Sequence, residues 1–395
     1  MELQLYRLVL LLSSLSDRIV AGCDLDLLFI QKRVSIEEAV MESPIVFRGM
    51  SLASERNQVG EFTARFELLN TFKDMPAFGD RWGISIDADD RVVNVTVMGE
   101  LTAECTAGVA APIEYIVFGD AVGGRVTATS VIKWNERIDE RVWMVLGWSE
   151  WGEWSPCSVS CSSGIQQRVR HCQTNSCSGY NVEQRHCNMF KCDETINPLN
   201  LEDERFFHPS RENWKAVPDR PSAWRLEPYT YLWVPSMLLL AGLNITEFPK
   251  QFSIFFTVRL SNNTCGTIFS LRSRTQQDTY LSIDFRKDDL KLSHAAQNGS
   301  DIVVIPVDLA DDHWHQIAIS IRDGNVIECF VDCQWVMTDI LRSTSLDLPE
   351  DSDLIVGYLF SGDLEQLSIT IDPYLVDQHC STSRTPIIDP SMDVT

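Results

Sequence analysis

Six cysteines at positions 157, 161, 172, 177, 187 and 192 fall within a stretch that holds three tryptophans and few aliphatic residues. A segment of that make-up cannot bury an ordinary apolar core, so cross-links and ring stacking must hold it together. No histidine stands at zinc-ligand spacing: His171 and His186 each adjoin a cysteine. The pattern is therefore a disulfide framework, not a zinc site, and spacing alone leaves many connectivities open.

The whole chain carries 12 cysteines in 395 residues, an even count suited to an oxidising compartment. Residues 1–22 fit a signal peptide: Arg7 precedes the apolar run Leu8, Val9, Leu10, Leu11 and Leu12, and the small residues Ala21 and Gly22 precede a cut near Cys23. That run is too short to span a bilayer, and the apolar stretch 232–243 is broken by Pro235. No membrane insertion is expected. Four N-x-S/T tripeptides, at Asn94, Asn244, Asn262 and Asn298, agree with passage through the secretory route. The expected location is the extracellular space or the extracellular matrix.

Charge narrows the partners. Lys and Arg number 33 against 56 Asp and Glu, for a net charge of −23. Nucleic acid and anionic lipid are disfavoured by that sum. Only 148–192, with 4 basic and 3 acidic residues, escapes the acidic average.

Residues 44–48, 61–69, 91–98, 113–118 and 125–134 are rich in Val, Ile, Phe and Thr, with turn-forming clusters at 87–90 and 119–124. The pattern then changes: Ile138, Val142 and Val145 repeat at helical spacing. Five strands and a closing helix over 23–147 predict a small barrel of the OB type, with Cys23 and Cys105 as its own pair. Residues 193–223 are charged and contain prolines, and they read as a linker. From 224 to 380, eight short apolar runs separated by Asp, Asn and Gly predict a β-sandwich. The polar stretch 381–395 reads as a disordered tail. The predicted class is mainly β.

Trp148, Trp151 and Trp154 are three apart, and Arg168 and Arg170 are two apart. An extended, threefold-turning strand would line up the indoles, and a neighbouring β-strand would put both arginines on one face. Guanidinium planes can then slot between the rings. Together with the six cysteines, these residues make 148–192 resemble a thrombospondin type-1 repeat. The resemblance implies a thin three-stranded ladder with bonds Cys157–Cys187, Cys161–Cys192 and Cys172–Cys177. It also implies C-mannosylation of Trp148 and Trp151 and O-fucosylation of Ser160. Two positions depart from the family: Ser162 replaces its usual glycine, and Gln166 stands where a third arginine is common. The candidate binding face is Trp148, Trp151, Trp154, Arg168 and Arg170, suited to sulfated glycans or acidic protein segments.

The blocks FPKQFSIFFTVR (248–259), GTIFS (266–270), VDLADDHWH (307–315) and CFVDC (329–333), then Asp372, Pro373 and Cys380, occur in that order. They resemble the thrombospondin N-terminal-like branch of laminin-G domains, over about 224–380. That resemblance implies a jelly-roll sandwich that binds glycans and proteins. It also implies a Cys333–Cys380 bridge, leaving Cys265 and Cys329 for each other. Asp312, His313 and His315 open a strand in this family, so no metal site is assigned to them. PIVFRG (44–49) and IVFG (116–119) make the first segment similar to a netrin-like module and to the agrin N-terminal domain.

No G-x-S-x-G, H-E-x-x-H, P-loop or dinucleotide fingerprint occurs, so no catalytic residue, metal or cofactor is assigned and no enzyme is expected. The predicted function is secreted binding in adhesion or signalling, with extracellular proteins, matrix glycans or a cell-surface receptor as partners. The alternatives are a diffusible growth-factor or receptor modulator, and a metalloproteinase inhibitor acting through a leading Cys23. The second lacks the other chelating cysteine of such inhibitors.

Overall fold

The computed structural model describes residues 34–389, apart from 57–61, 74–91, 98–111, 123–124, 178, 194, 263, 287–288 and 298. The expected signal peptide, Cys23, Cys105 and Asn298 lie outside the described residues. The described chain is mainly β and divides into two compact units: 34–151 with 170–181 and 388–389, and 152–169 with 182–387.

The first unit holds helix α1 (Ile36–Glu42) and strands β1 (Ile45–Arg56), β2 (Phe62–Thr71), β3 (Val92–Val97), β4 (Glu114–Val122) and β5 (Arg125–Lys133). They close a barrel in the order β1-β2-β3-β5-β4, with β3 and β5 parallel. Alternate residues point inward: Ile45 and Phe47, Ala64 and Phe66, Val93 and Val95, Tyr115 and Val117. Helix α2 (Glu136–Val145) follows, capped by the Asn135 side chain, which accepts from the Ile138 amide at 2.9 Å. Its Val142 and Trp143 pack with Val40 of α1 and with Val46, Ile116 and Phe118 on the outside of the barrel. Both periods visible in the sequence, two for strands and 3.6 for the helix, thus bury apolar faces.

In the second unit the cysteine-rich segment supplies β6 (Gly164–Val169) and β7 (Val182–Cys187). Next come β8 (Thr195–Ile196), β9 (Phe207–His208), β10 (Lys215–Val217), β11 (Arg220–Leu226), β12 (Tyr231–Val234) and helix α3 (Ser236–Gly242). Strands β13 (Phe252–Arg259), β14 (Cys265–Ser273), β15 (Tyr280–Arg286), β16 (Asp289–Ala296) and β17 (Gly299–Ile305) continue the chain. It ends with β18 (Trp314–Arg322), β19 (Val326–Val331), β20 (Gln334–Ile340), β21 (Ser352–Val356), β22 (Gly362–Thr370) and β23 (Thr385–Ile387). Two sheets form the sandwich. One runs β10-β11-β22-β13-β18-β19-β20, with β8 paired to β22, and the other runs β17-β16-β15-β14-β21-β12-β9. Ile254, Phe256, Ile317, Ile319 and Leu367 from the first sheet meet Phe269, Leu281, Ile283, Leu292 and Leu354 from the second.

Three sequence expectations are corrected. Residues 193–223 are no linker: β8, β9 and β10 join the sandwich sheets, and Leu199, Phe206, Phe207 and Trp214 belong to its core. Nor is all of 381–395 a patternless tail, because Thr385–Ile387 pairs with β7, placing Ile387 opposite Val182. The third concerns cysteines. Cys265 and Cys329 are both unbonded, since Cys265 is exposed at the start of β14 while Cys329 lies in the core on β19, in the opposite sheet.

Candidate functional site

The segment that carries the three tryptophans is extended and is hydrogen-bonded at every third residue. Ser149 donates to the His171 carbonyl in the first unit. In the second, the amides of Gly152, Ser155 and Ser158 donate to Val169, Gln167 and Ile165, at 2.8 to 3.0 Å. This spacing brings Trp148 and Trp151 against Arg170 in the first unit, and Trp154 against Arg168 and Arg185 in the second.

In the first unit Arg170 is the hub. Its guanidinium carbon lies 4.6 Å from the Trp148 ring centre, 4.4 Å from Trp151, 4.1 Å from Trp143 and 4.8 Å from Tyr180. Nε and Nη2 both donate to the Tyr180 carbonyl, at 2.9 and 2.7 Å. Arg170 is 1% exposed. A charge so enclosed is tolerated because aromatic faces and a carbonyl replace its hydration. Gly179, at φ +120°, lets Trp143 approach so closely that a Cβ there would lie 2.7 Å from its ring. The Cys172–Cys177 bond closes the loop beside it.

In the second unit Trp154 carries two arginines, with Arg185 at 4.1 Å and Arg168 at 4.9 Å. Arg168 also pairs with Glu183 at 2.8 Å, with both side chains largely buried. The ladder continues as an amide network against the outer face of the sandwich. Gln316 Oε1 accepts from Arg185 Nη2 at 2.7 Å and lies 2.9 Å from the Gln166 amide. Asn188 and Gln366 exchange two hydrogen bonds, at 3.0 and 3.2 Å. Phe190 stacks on Phe255 with ring centres 4.5 Å apart. Cys157–Cys187 and Cys161–Cys192 staple this end, and Cys333–Cys380 anchors the turn carrying His379.

The expected binding face is therefore corrected. Trp148 and Arg170 are buried, and Arg168 is paired with Glu183, so the five residues do not present a free basic surface. Gln166, read from sequence as a missing rung, is buried in the amide network. Ser160 is exposed, as are Asn94, Asn244 and Asn262. Ser162 sits at φ +66°, the left-handed conformation that favours the glycine it replaces.

Two histidines flank this seam. Burial would push His315 down, but Asp332 at 2.8 Å and Asp311 at 3.0 Å outweigh it and raise its pKa to about 9. His379 is 2% exposed and neither ring nitrogen finds a hydrogen-bond partner; burial, then the nearby Arg185 charge, lowers its pKa to about 3. Asp332 pulls weakly the other way. Among the described residues, no group of three or more His, Cys, Asp or Glu is arranged to hold a metal ion, and no helix is long and apolar enough to cross a membrane.

Comparison with known proteins places domains on this geometry. Residues 149–192 match the thrombospondin type 1 domain and 259–375 match the laminin G domain, so the chain contains both. Human thrombospondin-2 is 50% identical over 52 residues, covering 13% of this chain and 4% of that protein. Mouse semaphorin-5B is 48% identical over 48 residues, 12% of this chain and 4% of its own length. The protein kinase C-binding protein NELL2 of Xenopus tropicalis is 25% identical over 130 residues, 31% of this chain and 16% of that protein. The chain thus spans only a small part of these relatives. Among solved structures, domains LG4-5 of the mouse laminin alpha1 chain align with a TM-score of 0.32 at 15% identity, covering 44% of this chain and 47% of that one.

Proposed function

We propose that this chain is a secreted binding protein of the extracellular matrix or cell surface, acting in adhesion or signalling through its laminin-G sandwich rather than through the tryptophan–arginine ladder. The observation that carries the reading is the internal use of the ladder: Arg170 is enclosed by rings, Arg168 by Glu183, and Arg185 by Gln316. The sandwich, by contrast, exposes an apolar patch. Ile302 and Val304 project from β17, and Trp335 and Ile340 from β20. These two strands touch, and each is the edge of its sheet. Edge strands offer unpaired backbone groups, and an exposed tryptophan beside aliphatic side chains has the make-up of an interface hot spot. The partner class is an extracellular protein with an apolar or extended docking segment.

Modification fits the same reading. Asn94, Asn244 and Asn262 present exposed acceptors and Ser160 an exposed hydroxyl. Trp148 is enclosed, so a mannose there has to be attached before the segment closes. Retention of the secreted full-length chain on cells and matrix tests the proposal. Trp335→Ala and Ile302→Ser are expected to lower retention about ten-fold or more while leaving the fold intact. Unchanged retention of both folded variants would overturn it.

A further inference from the structure

We propose that a half-open cavity of about 560 Å³ at one end of the sandwich is a binding site for an uncharged saccharide, and that the chain's own glycan at Asn262 is its first occupant. The walls come from β11, the end of β13, the segment before β18 and the start of β22, and include Arg225, Arg259, Ser261, Asp312, Ser361 and Asp363. The volume lies in the ordinary range for small-ligand sites.

The floor is rigid. Asp363 is 5% exposed and accepts from Arg225 Nε and Nη2 at 2.9 and 3.2 Å, and from Arg259 Nε and Nη2 at 3.0 and 2.8 Å. Arg259 is further tied to Asp219. Two groups facing the cavity remain unused. Arg225 Nη1 makes no hydrogen bond among the described residues, and its side chain is 48% exposed. The Asp312 carboxylate has neither hydrogen-bond nor ion-pair partner among the described residues, while its backbone, at φ +64°, is fixed by donation to the Leu260 carbonyl at 3.0 Å. A free donor and a free acceptor in one cavity suit a hydroxyl, which can accept from the guanidinium and donate to the carboxylate at once.

Charge selects the class of sugar. Arg225 and Arg259 are offset by Asp363 and Asp312, and Glu227 at the rim is held by Lys215. With no net positive field, a sulfated or carboxylated glycan gains nothing over a neutral one. The source follows from the chain itself. Ser261 lines the cavity, and the exposed Asn262 is the next residue. The turn is fixed by Ser261 N donating to Thr264 Oγ1 at 2.9 Å and Thr264 N donating to the Ser261 carbonyl at 2.8 Å. A glycan on Asn262 therefore starts at the rim.

The test uses the full secreted chain from glycosylating cells, compared with Asn262→Gln by hydrogen exchange of peptides covering 222–228 and 360–366, and then titrated with chitobiose. The expected result is slower exchange in both peptides of the wild type, lost in Asn262→Gln and regained on adding chitobiose. Asp312→Asn, made in the Asn262→Gln background, should weaken chitobiose about ten-fold through loss of one charge-assisted hydrogen bond. If wild type and Asn262→Gln exchange alike yet both take up chitobiose through Asp312, the saccharide site stands and its sugar comes from another molecule. No response to either glycosylation or chitobiose overturns the proposal, as does binding confined to sulfated saccharides. Cell retention through Trp335 is a separate readout, so either proposal can fail alone.

Discussion

The two histidines beside the ladder give the second unit a stability maximum with two differently caused limbs. Take His379 first. Its pKa is about 3 in the folded chain against an ordinary 6.5, so between those values the unfolded chain binds the extra proton. Stability is therefore complete above about 6.5 and falls as pH drops, by ~1.4 kcal/mol per pH unit, or about 2 kcal/mol between pH 6.5 and 5. The structural cause is a ring without a hydrogen-bond acceptor, packed on Phe255 and facing the Arg185 charge. His315 acts with the opposite sign. Its folded pKa of about 9 exceeds the ordinary 6.5, so its contribution is complete below 6.5 and is lost as pH rises toward 9, roughly 3 kcal/mol in all. The assay is hydrogen exchange of peptides within 314–321 and 363–370 of the full chain in denaturant, from pH 5 to 9, corrected for intrinsic exchange. His379→Leu should flatten the acid limb and leave the alkaline one, and His315→Gln should do the reverse. An acid limb unchanged in His379→Leu would refute the reasoning; His294, the other described histidine of this unit that burial pushes down, leaves part of the limb in that variant.

Other expectations follow from the same contacts. Arg170→Gln strips a half-buried carbonyl of two donors and several rings of their cation, so the first unit should lose about 3 kcal/mol, read as a lower melting temperature or failed secretion. Gln366→Ala should cost about 1–3 kcal/mol by leaving the Asn188 Oδ1 without its donor while the Asn188 amide keeps the Val159 carbonyl, and a double-mutant cycle with Asn188→Ala should show the two effects to be strongly non-additive. Ser162→Gly should stabilise the chain by about 1 kcal/mol in thermal unfolding, because the left-handed conformation burdens a residue with a side chain. In the native protein iodoacetamide should label Cys265 and spare Cys329, whose thiol is enclosed and pushed up to about 12 by burial; mass spectrometry distinguishes the two.

Local pattern was enough for much of the architecture. Runs rich in Val, Ile, Phe and Thr at 44–48, 91–98 and 125–134 marked strands of the barrel, and Ile138, Val142 and Val145 announced the helix against it. Tryptophans three apart and arginines two apart announced the ladder, because both spacings follow from backbone geometry alone. Residues 193–223 escaped such reading, since strands of two or three residues carry no period, and only the sandwich supplies the partners for Leu199, Phe207 and Trp214. The same holds for Thr385–Ile387, whose pairing partner is just over 200 residues away. Whether the ladder arginines face solvent was also beyond the sequence. Arg170 is enclosed by Trp143 and Tyr180, and Arg185 meets Gln316 from a distant strand. Burial of a charge depends on what packs over it, and that is settled by long-range contacts whose spacing leaves no mark along the chain.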